Sequence, residues 1–158
     1  LLFALNRDSA AALSAQFAEK TMRKTYLALG THKPAKKQGW VKGGMARSRR
    51  GTWKLTRDED NFAVTRFSSQ SLKPGLRLFV LQPFTGKTHQ LRVAMKSIGS
   101  PILGDTLYGG DEAEHLFLHA WRLVFDYRGE HFDIRVAPDK TWPSEIDLSA
   151  CLGSDESE

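Results

Sequence analysis

"LRLFVLQPFTGKTHQLRVAMKSIGS", residues 76–100, holds a strand, a turn and a helix in one run. Leu76 to Pro83 is a short apolar run stopped by proline, the reading of a strand. Gly86 makes the turn. Thr88 is expected to cap a helix reaching about Ile98–Gly99, with Leu91, Met95 and Ile98 on its apolar side. Gly86-Lys87-Thr88 also looks like the end of a phosphate-cradling loop. His89 and Arg92 follow at a spacing of three, which puts them on one helical face.

Three chemistries fail against this stretch. A nucleotide P-loop needs a first glycine five residues before Gly86, and that position is Leu81, inside the strand. Zinc needs a cluster of ligands, yet His115 and His119 sit in an apolar run, and Cys151 is the single cysteine. A serine hydrolase needs a nucleophile elbow, and none is present. What survives is an arginine at a glycine-rich turn, a geometry that grips a carboxylate or a phosphate through two parallel hydrogen bonds.

Working outward, "RKTYLALG" (23–30), "NFAVTRFSS" (61–69), "HLFLHA" (115–120), "WRLVFDY" (121–127) and "EHFDIRVA" (130–137) read as strands. A tight turn is expected at Arg128-Gly129-Glu130. Alternation puts Lys24, Tyr26 and Ala28 on one face of the first of these. "LLFALN" reads as a strand, and "RDSAAALSAQFAEK" as a helix with Asp8 or Ser9 at its start. Residues 31–52 show little periodicity and read as a mobile insertion with short strands at best. "WPSEIDLSACL" is expected to form a final short helix. Strands that follow one another directly predict an α+β fold: a mixed, largely antiparallel sheet with flanking helices and loops.

The 158 residues suit one domain, expected over 1–153, with residues 154–158 as a disordered acidic tail. Without the tail's three acids the net charge of +5 becomes +8. Lys33 to Arg57 contains nine Lys/Arg and no acid, including Arg47, Arg49 and Arg50. Such a stripe suits a polyanion, nucleic acid first. No apolar run approaches a membrane span. A lone cysteine rules out a disulfide framework, so a cytoplasmic setting is expected.

"RKTYLAL", "LQPFTGKTHQLRVAMKSIGSPILGDTLYG" and "LFLHAWRLVF" occur in the order and spacing of RluA-type pseudouridine synthases, and the chain is similar to that family over most of residues 1–137. The resemblance implies an RNA uridine isomerase acting on ribosomal or transfer RNA, as a monomer, with no metal and no organic cofactor. It implies that Tyr26 stacks on the target base and assists proton removal from C5. Arg92 would pair with a catalytic aspartate, and Leu91 would line the uracil pocket. Lys24, Lys87, His89, Gln90 and the Arg47/Arg49/Arg50 cluster are expected to contact the substrate RNA.

One element of the family pattern is missing. The aspartate belongs to an Arg-Leu-Asp motif just before a strand that "LLFALN" matches, so it is expected a few residues upstream of Leu1. Asp8 and Asp105 match other parts of the pattern and are not replacements. The 158-residue chain alone is therefore expected to be inactive. A non-catalytic RNA-binding module, using the basic stripe with Tyr26, Trp40 and Trp53, is the alternative reading. A structural domain whose charges only solubilise it is the third.

Overall fold

Alternating apolar residues in Ala63–Lys73 and continuous apolar runs in Arg23–Gly30 and Leu76–Pro83 supply the buried centre of one seven-stranded sheet. The computed structural model describes residues 22–147. Its strands are β1 (Arg23–Gly30), β2 (Gly39–Arg47), β3 (Trp53–Thr56), β4 (Ala63–Lys73), β5 (Leu76–Pro83), β6 (Leu118–Tyr127) and β7 (Glu130–Arg135). The α-helix among the described residues is α1 (Gln90–Ser97), and single 3-10 turns lie at Arg49–Gly51 and Thr106–Tyr108. Strand order is β3-β2-β4-β5-β1-β6-β7, with antiparallel pairing throughout the described strands. This is the expected α+β class. The strand read at 1–6, the helix at 7–20, the end of the expected final helix (148–152) and the tail at 154–158 lie outside the described residues.

The register assigns the two faces. Phe67, Leu81 and Tyr26 form one row across β4, β5 and β1. On that face Ala28, Phe67, Phe79 and Leu81 pack against Leu91, Ala94, Met95 and Ile98 of α1. On the reverse face Leu27, Leu29, Leu78 and Val80 pack against Phe117, Trp121 and Trp142. A third, smaller cluster of Met45, Ala63, Val93 and Tyr108 joins α1 to the β2–β3 end of the sheet. The β6–β7 turn comes where expected, with Arg128 and Gly129 both at positive φ, as a two-residue hairpin demands.

Residues 31–52 depart from expectation. β2 is a full nine-residue strand inside the sheet. It pairs with β4 through Gly39–Gly43 and with β3 through Gly44–Arg47, so it changes partner between two glycines. A Cβ on Gly44 would lie 2.6 Å from the Asp58 carbonyl and from Thr56 Oγ1. Close backbone approach excludes side chains there, and that erased the alternation a strand would show. The helix start also differs. Thr88 is not the cap; His89 holds that position in the left-handed region (φ 56) with no side-chain cap bond. β6 begins at Leu118, later than the apolar run at 115 suggests, and 142–147 form turns with no helix.

Two glycines separate backbone strain from collision. Gly104 (φ +91) would drive a Cβ into the His115 carbonyl, whereas Gly109 (φ +90) faces open space. Gly104→Ala should cost about 3 kcal/mol of unfolding free energy. Gly109→Ala should cost only the left-handed penalty of about 1 kcal/mol. Urea denaturation of both variants measures the difference, and equal losses would refute the steric account.

Candidate active site

β1 and the β5–α1 turn build opposite walls of a cleft of about 440 Å³. Lys24 and Tyr26 come from β1, where a register shift against β6 falls between Thr25 and Tyr26. Such bulges re-aim side chains. Pro83 ends β5, and Thr85, Gly86 and Lys87 come from the turn. His89, Gln90, Leu91 and Arg92 come from the start of α1, and Leu118 closes the side. A Cβ on Gly86 would stand 4.0 Å from Lys24 Nζ, an ordinary contact, so the turn and the lysine are near neighbours.

The turn is shaped by one amide. Gln90 is buried, and its Oε1 accepts from Thr85 Oγ1 (2.7 Å) and from Lys87 N–H (3.0 Å). Its Nε2 donates to the Val64 carbonyl (3.0 Å) and to Thr65 Oγ1 (2.9 Å). Two donors and two lone pairs are all an amide has. Gln90, expected as an RNA contact, instead spends its polar atoms tying the turn to β4. The Lys87 amide whose hydrogen bond it accepts lies in the turn, just before the helix start.

Arg92 is held on three sides. Its Nε and Nη2 donate to Asp105 at 3.0 and 2.8 Å, a two-pronged pair with an almost fully buried carboxylate. Its Nη1 lies 3.3 Å from His89 Nε2, and its Cζ stands 4.9 Å from the Tyr108 ring centroid. Tyr108, itself buried, accepts the Trp53 N–H at 2.8 Å and meets His89 Nδ1 at 2.8 Å. An arginine can only donate, so its contact with Nε2 assigns the His89 proton to Nδ1, facing the Tyr108 oxygen. The bond to Tyr108 holds His89 in its left-handed conformation. One N–H on each of Nη1 and Nη2 stays outside these bonds, a fork that fits one more carboxylate or phosphate.

Burial sets the charge states. Desolvation lowers the Lys24 pKa and raises that of the Tyr26 phenol, which therefore stays protonated at neutral pH. The His89 pKa falls below its ordinary value, first by desolvation, then by the Arg92 charge, with Asp105 opposing. The hydrogen bond to Asp105 raises the Arg92 pKa further. Among the described residues, none that lines it is acidic. The cleft is thus cationic, with an apolar wall at Leu91 and Leu118 and a neutral aromatic ring at Tyr26.

Tyr26, Lys24, Lys87, His89, Gln90, Leu91 and Arg92 thus meet at one cleft. Arg47, Arg49 and Arg50 do not line it. They sit at the end of β2 and in the 3-10 turn after it, where Arg47 stands 5.6 Å from the Trp53 ring. Sequence reading missed Asp105 as the partner of Arg92 and gave no role to Tyr108. The Gly-Asp-x-x-Tyr-Gly run was the available signal. Asp105 and Tyr108 are three apart around a 3-10 turn, and both reach Arg92. His115 and His119 bond to Thr141 Oγ1 and to the Val136 carbonyl.

Two outcomes test this network. Asp105→Asn should remove about 3 kcal/mol of stability at neutral pH, the lower end for one half of a buried pair, because Arg92 keeps an edge in water. Urea unfolding measures it, and a loss under about 1 kcal/mol would refute the buried-pair reading. An NMR titration should place the His89 midpoint below the ordinary value of about 6.5. Arg92→Gln removes a neighbouring positive charge and should move that midpoint up. Because the folded pKa is depressed, the stability tied to neutral His89 is present above about pH 6.5 and lost as pH falls through the folded midpoint.

Comparison with known proteins fits this architecture. A family model described as RNA pseudouridylate synthase matches residues 1–97. An uncharacterized RNA pseudouridine synthase of Haemophilus influenzae is 53% identical over 142 residues, covering 89% of this chain and 63% of that protein. Ribosomal large subunit pseudouridine synthase C of Rickettsia bellii is 40% identical over 162 residues, covering 98% of this chain and 50% of the relative. The chain thus spans between half and two thirds of the length of these relatives. The solved structure of human RNA Pseudouridylate Synthase Domain Containing 1 shares the fold, with a TM-score of 0.78 at 22% identity over 98% of this chain and 74% of that one. A cationic cleft on an antiparallel sheet, a match to the family model across more than half the residues, and close relatives together show that this chain belongs to the RNA pseudouridylate synthase family.

Proposed function

We propose that the protein isomerises uridine to pseudouridine in ribosomal or transfer RNA, in the cytoplasm and as a monomer. One observation carries the reading: Tyr26, the Leu91 wall and the Arg92 fork converge on a single cationic cleft large enough for a flipped base. In the reaction the N1–C1′ bond breaks, C5 bonds to C1′, C5 loses its proton and N1 gains one. Atoms and electrons balance within the nucleotide, so no redox partner is needed.

Each cleft residue has work in that sequence. The nucleophile is a carboxylate that the family resemblance puts upstream of Leu1, attacking C1′ or C6. Arg92 suits it, because its two remaining N–H groups would keep an aspartate ionised in a poorly hydrated cleft. Tyr26 would stack on the extruded uracil. As a neutral phenol it would take the C5 proton only while passing its own onward. Leu91 and Leu118 would exclude water from the turning base. Lys24 and Lys87 would meet the flanking phosphates. Arg47, Arg49 and Arg50 would hold RNA outside the cleft.

Tritium release from RNA labelled at uridine C5 tests the reading in the intact protein. Arg92→Ala and Tyr26→Phe should each slow turnover at least a hundredfold, the scale of a lost positioning or proton-transfer group, while RNA affinity changes far less. Rates like wild type in either variant would refute that assignment. An intact wild-type protein that binds RNA and releases no tritium would instead favour the RNA-binding module.

A further inference from the structure

The reverse face of the sheet carries a second aromatic site that the reaction leaves unused. Trp40, Arg66 and Gln82 form one row across β2, β4 and β5. That row neighbours the Phe67–Leu81–Tyr26 row and therefore points to the opposite face. Trp40 is 45% exposed, high for the largest apolar side chain. Its ring lies 5.4 Å from that of Phe84 at a tilt of 33°. Lys42 Nζ stands 5.0 Å from its centroid and Arg66 Cζ 6.0 Å. Lys36 Nζ reaches the Trp40 carbonyl at 3.4 Å. Beside the ring opens a hollow of about 220 Å³ lined by Gln38, Ser68, Gln82 and Arg66, with no carboxylate among the described residues.

We propose that Trp40 and Phe84 form a stacking platform for an unpaired nucleobase of the substrate RNA, with Lys36, Lys42 and Arg66 meeting its phosphates. This rests on the reading that RNA is the ligand. An exposed indole ringed by cations, with no acid among the described residues of the hollow, has the chemistry of single-strand binding: a π-face any base can use, and charge for the backbone. The hollow adds the Gln38 amide and the Ser68 hydroxyl, groups of the kind that pair with base edges. An acidic peptide would satisfy the cations and leave the ring uncovered.

Placement supports the assignment. Pro83 and Thr85 line the catalytic cleft, while Phe84 between them turns to Trp40. The strand order puts Trp40 three strands from Tyr26 and on the other face, about 14 Å at ~4.8 Å per strand. A single strand rounding this turn would leave its target uracil beside Tyr26 and stack a base further along the strand on Trp40. The platform acts as a positioning site, fixing which nucleotide stands at the cleft mouth.

The test uses the intact protein and a fluorescein-labelled, unstructured, uridine-containing oligoribonucleotide, read by anisotropy across a salt series. Trp40→Ala should weaken binding about tenfold, within the range for one lost stacking contact, and Trp40→Phe should keep most of the affinity. Lys42→Gln should reduce the slope of log affinity against log salt by roughly 0.7, one phosphate on a single strand. RNA carrying 5-bromouridine should photo-cross-link to Trp40, located by mass spectrometry. If Trp40→Ala fails to fold, the Lys42→Gln slope and the cross-link decide. Unchanged affinity in Trp40→Ala, or unchanged slope with adducts confined to the cleft, overturns the platform alone when wild type still binds RNA and releases tritium. A wild-type protein that binds no RNA overturns the platform together with the reading beneath it.

Discussion

A carboxylate taken out of water must find a cation, and Asp105 finds Arg92. That pair joins the loop after α1 to the first turns of α1. It also decides what else the guanidinium can do. Two of its donors are spent on Asp105, and the His89 ring and Tyr108 face occupy two further sides. The two N–H groups that remain belong to a side chain that lines the cleft. An arginine free to rotate would lose conformational entropy each time it gripped a ligand; this one has lost it on folding. The buried pair is therefore a device for aim, with folding stability bearing its cost.

The same logic runs through the turn. Gln90 satisfies four partners, and through them β4, the Thr85 hydroxyl and the Lys87 amide acquire fixed positions. Tyr108 does the equivalent at the other end, linking the β3 backbone to His89. Neither residue has to touch a substrate to matter. Both hold donors and rings where an incoming nucleotide would meet them already arranged, which is the condition for electrostatic help at a reacting centre.

Much of this was legible in the sequence, for reasons that differ by element. β1, β4 and β5 announced themselves because alternating or continuous apolar runs reflect burial directly. The cleft residues were legible because they crowd into 24–26 and 87–92, on two elements with clear boundaries. β2 was not, since its two central glycines answer to a neighbouring backbone and carry no periodic signal. The helix start was misjudged by one residue because bonds from Gln90 to Val64 and Thr65 and from His89 to Tyr108, all tertiary, fix the turn in place of an ordinary threonine cap. Asp105 was assigned to its loop correctly, but its partner lies 13 residues back, and only the folded path of that loop brings them together.

The partner change in β2 has a consequence for how such a protein can diversify. Residues up to Gly43 belong to the sheet's main ladder, and residues from Gly44 belong to an arm paired with β3 alone. Among the described strands β3 has no second neighbour, and the arm is also tied down by the Tyr108 hydroxyl, by hydrogen bonds between Met45 and residues 60–61, and by the packing of Met45 and Leu55. Insertions or charge changes beyond Ser48 would alter the reach of the arginines while the registers of β4, β5 and β1 stay as they are. The joint between two glycines separates an inherited chassis from an exchangeable grip, so descendants of this fold could acquire new clients without rebuilding the reaction chamber.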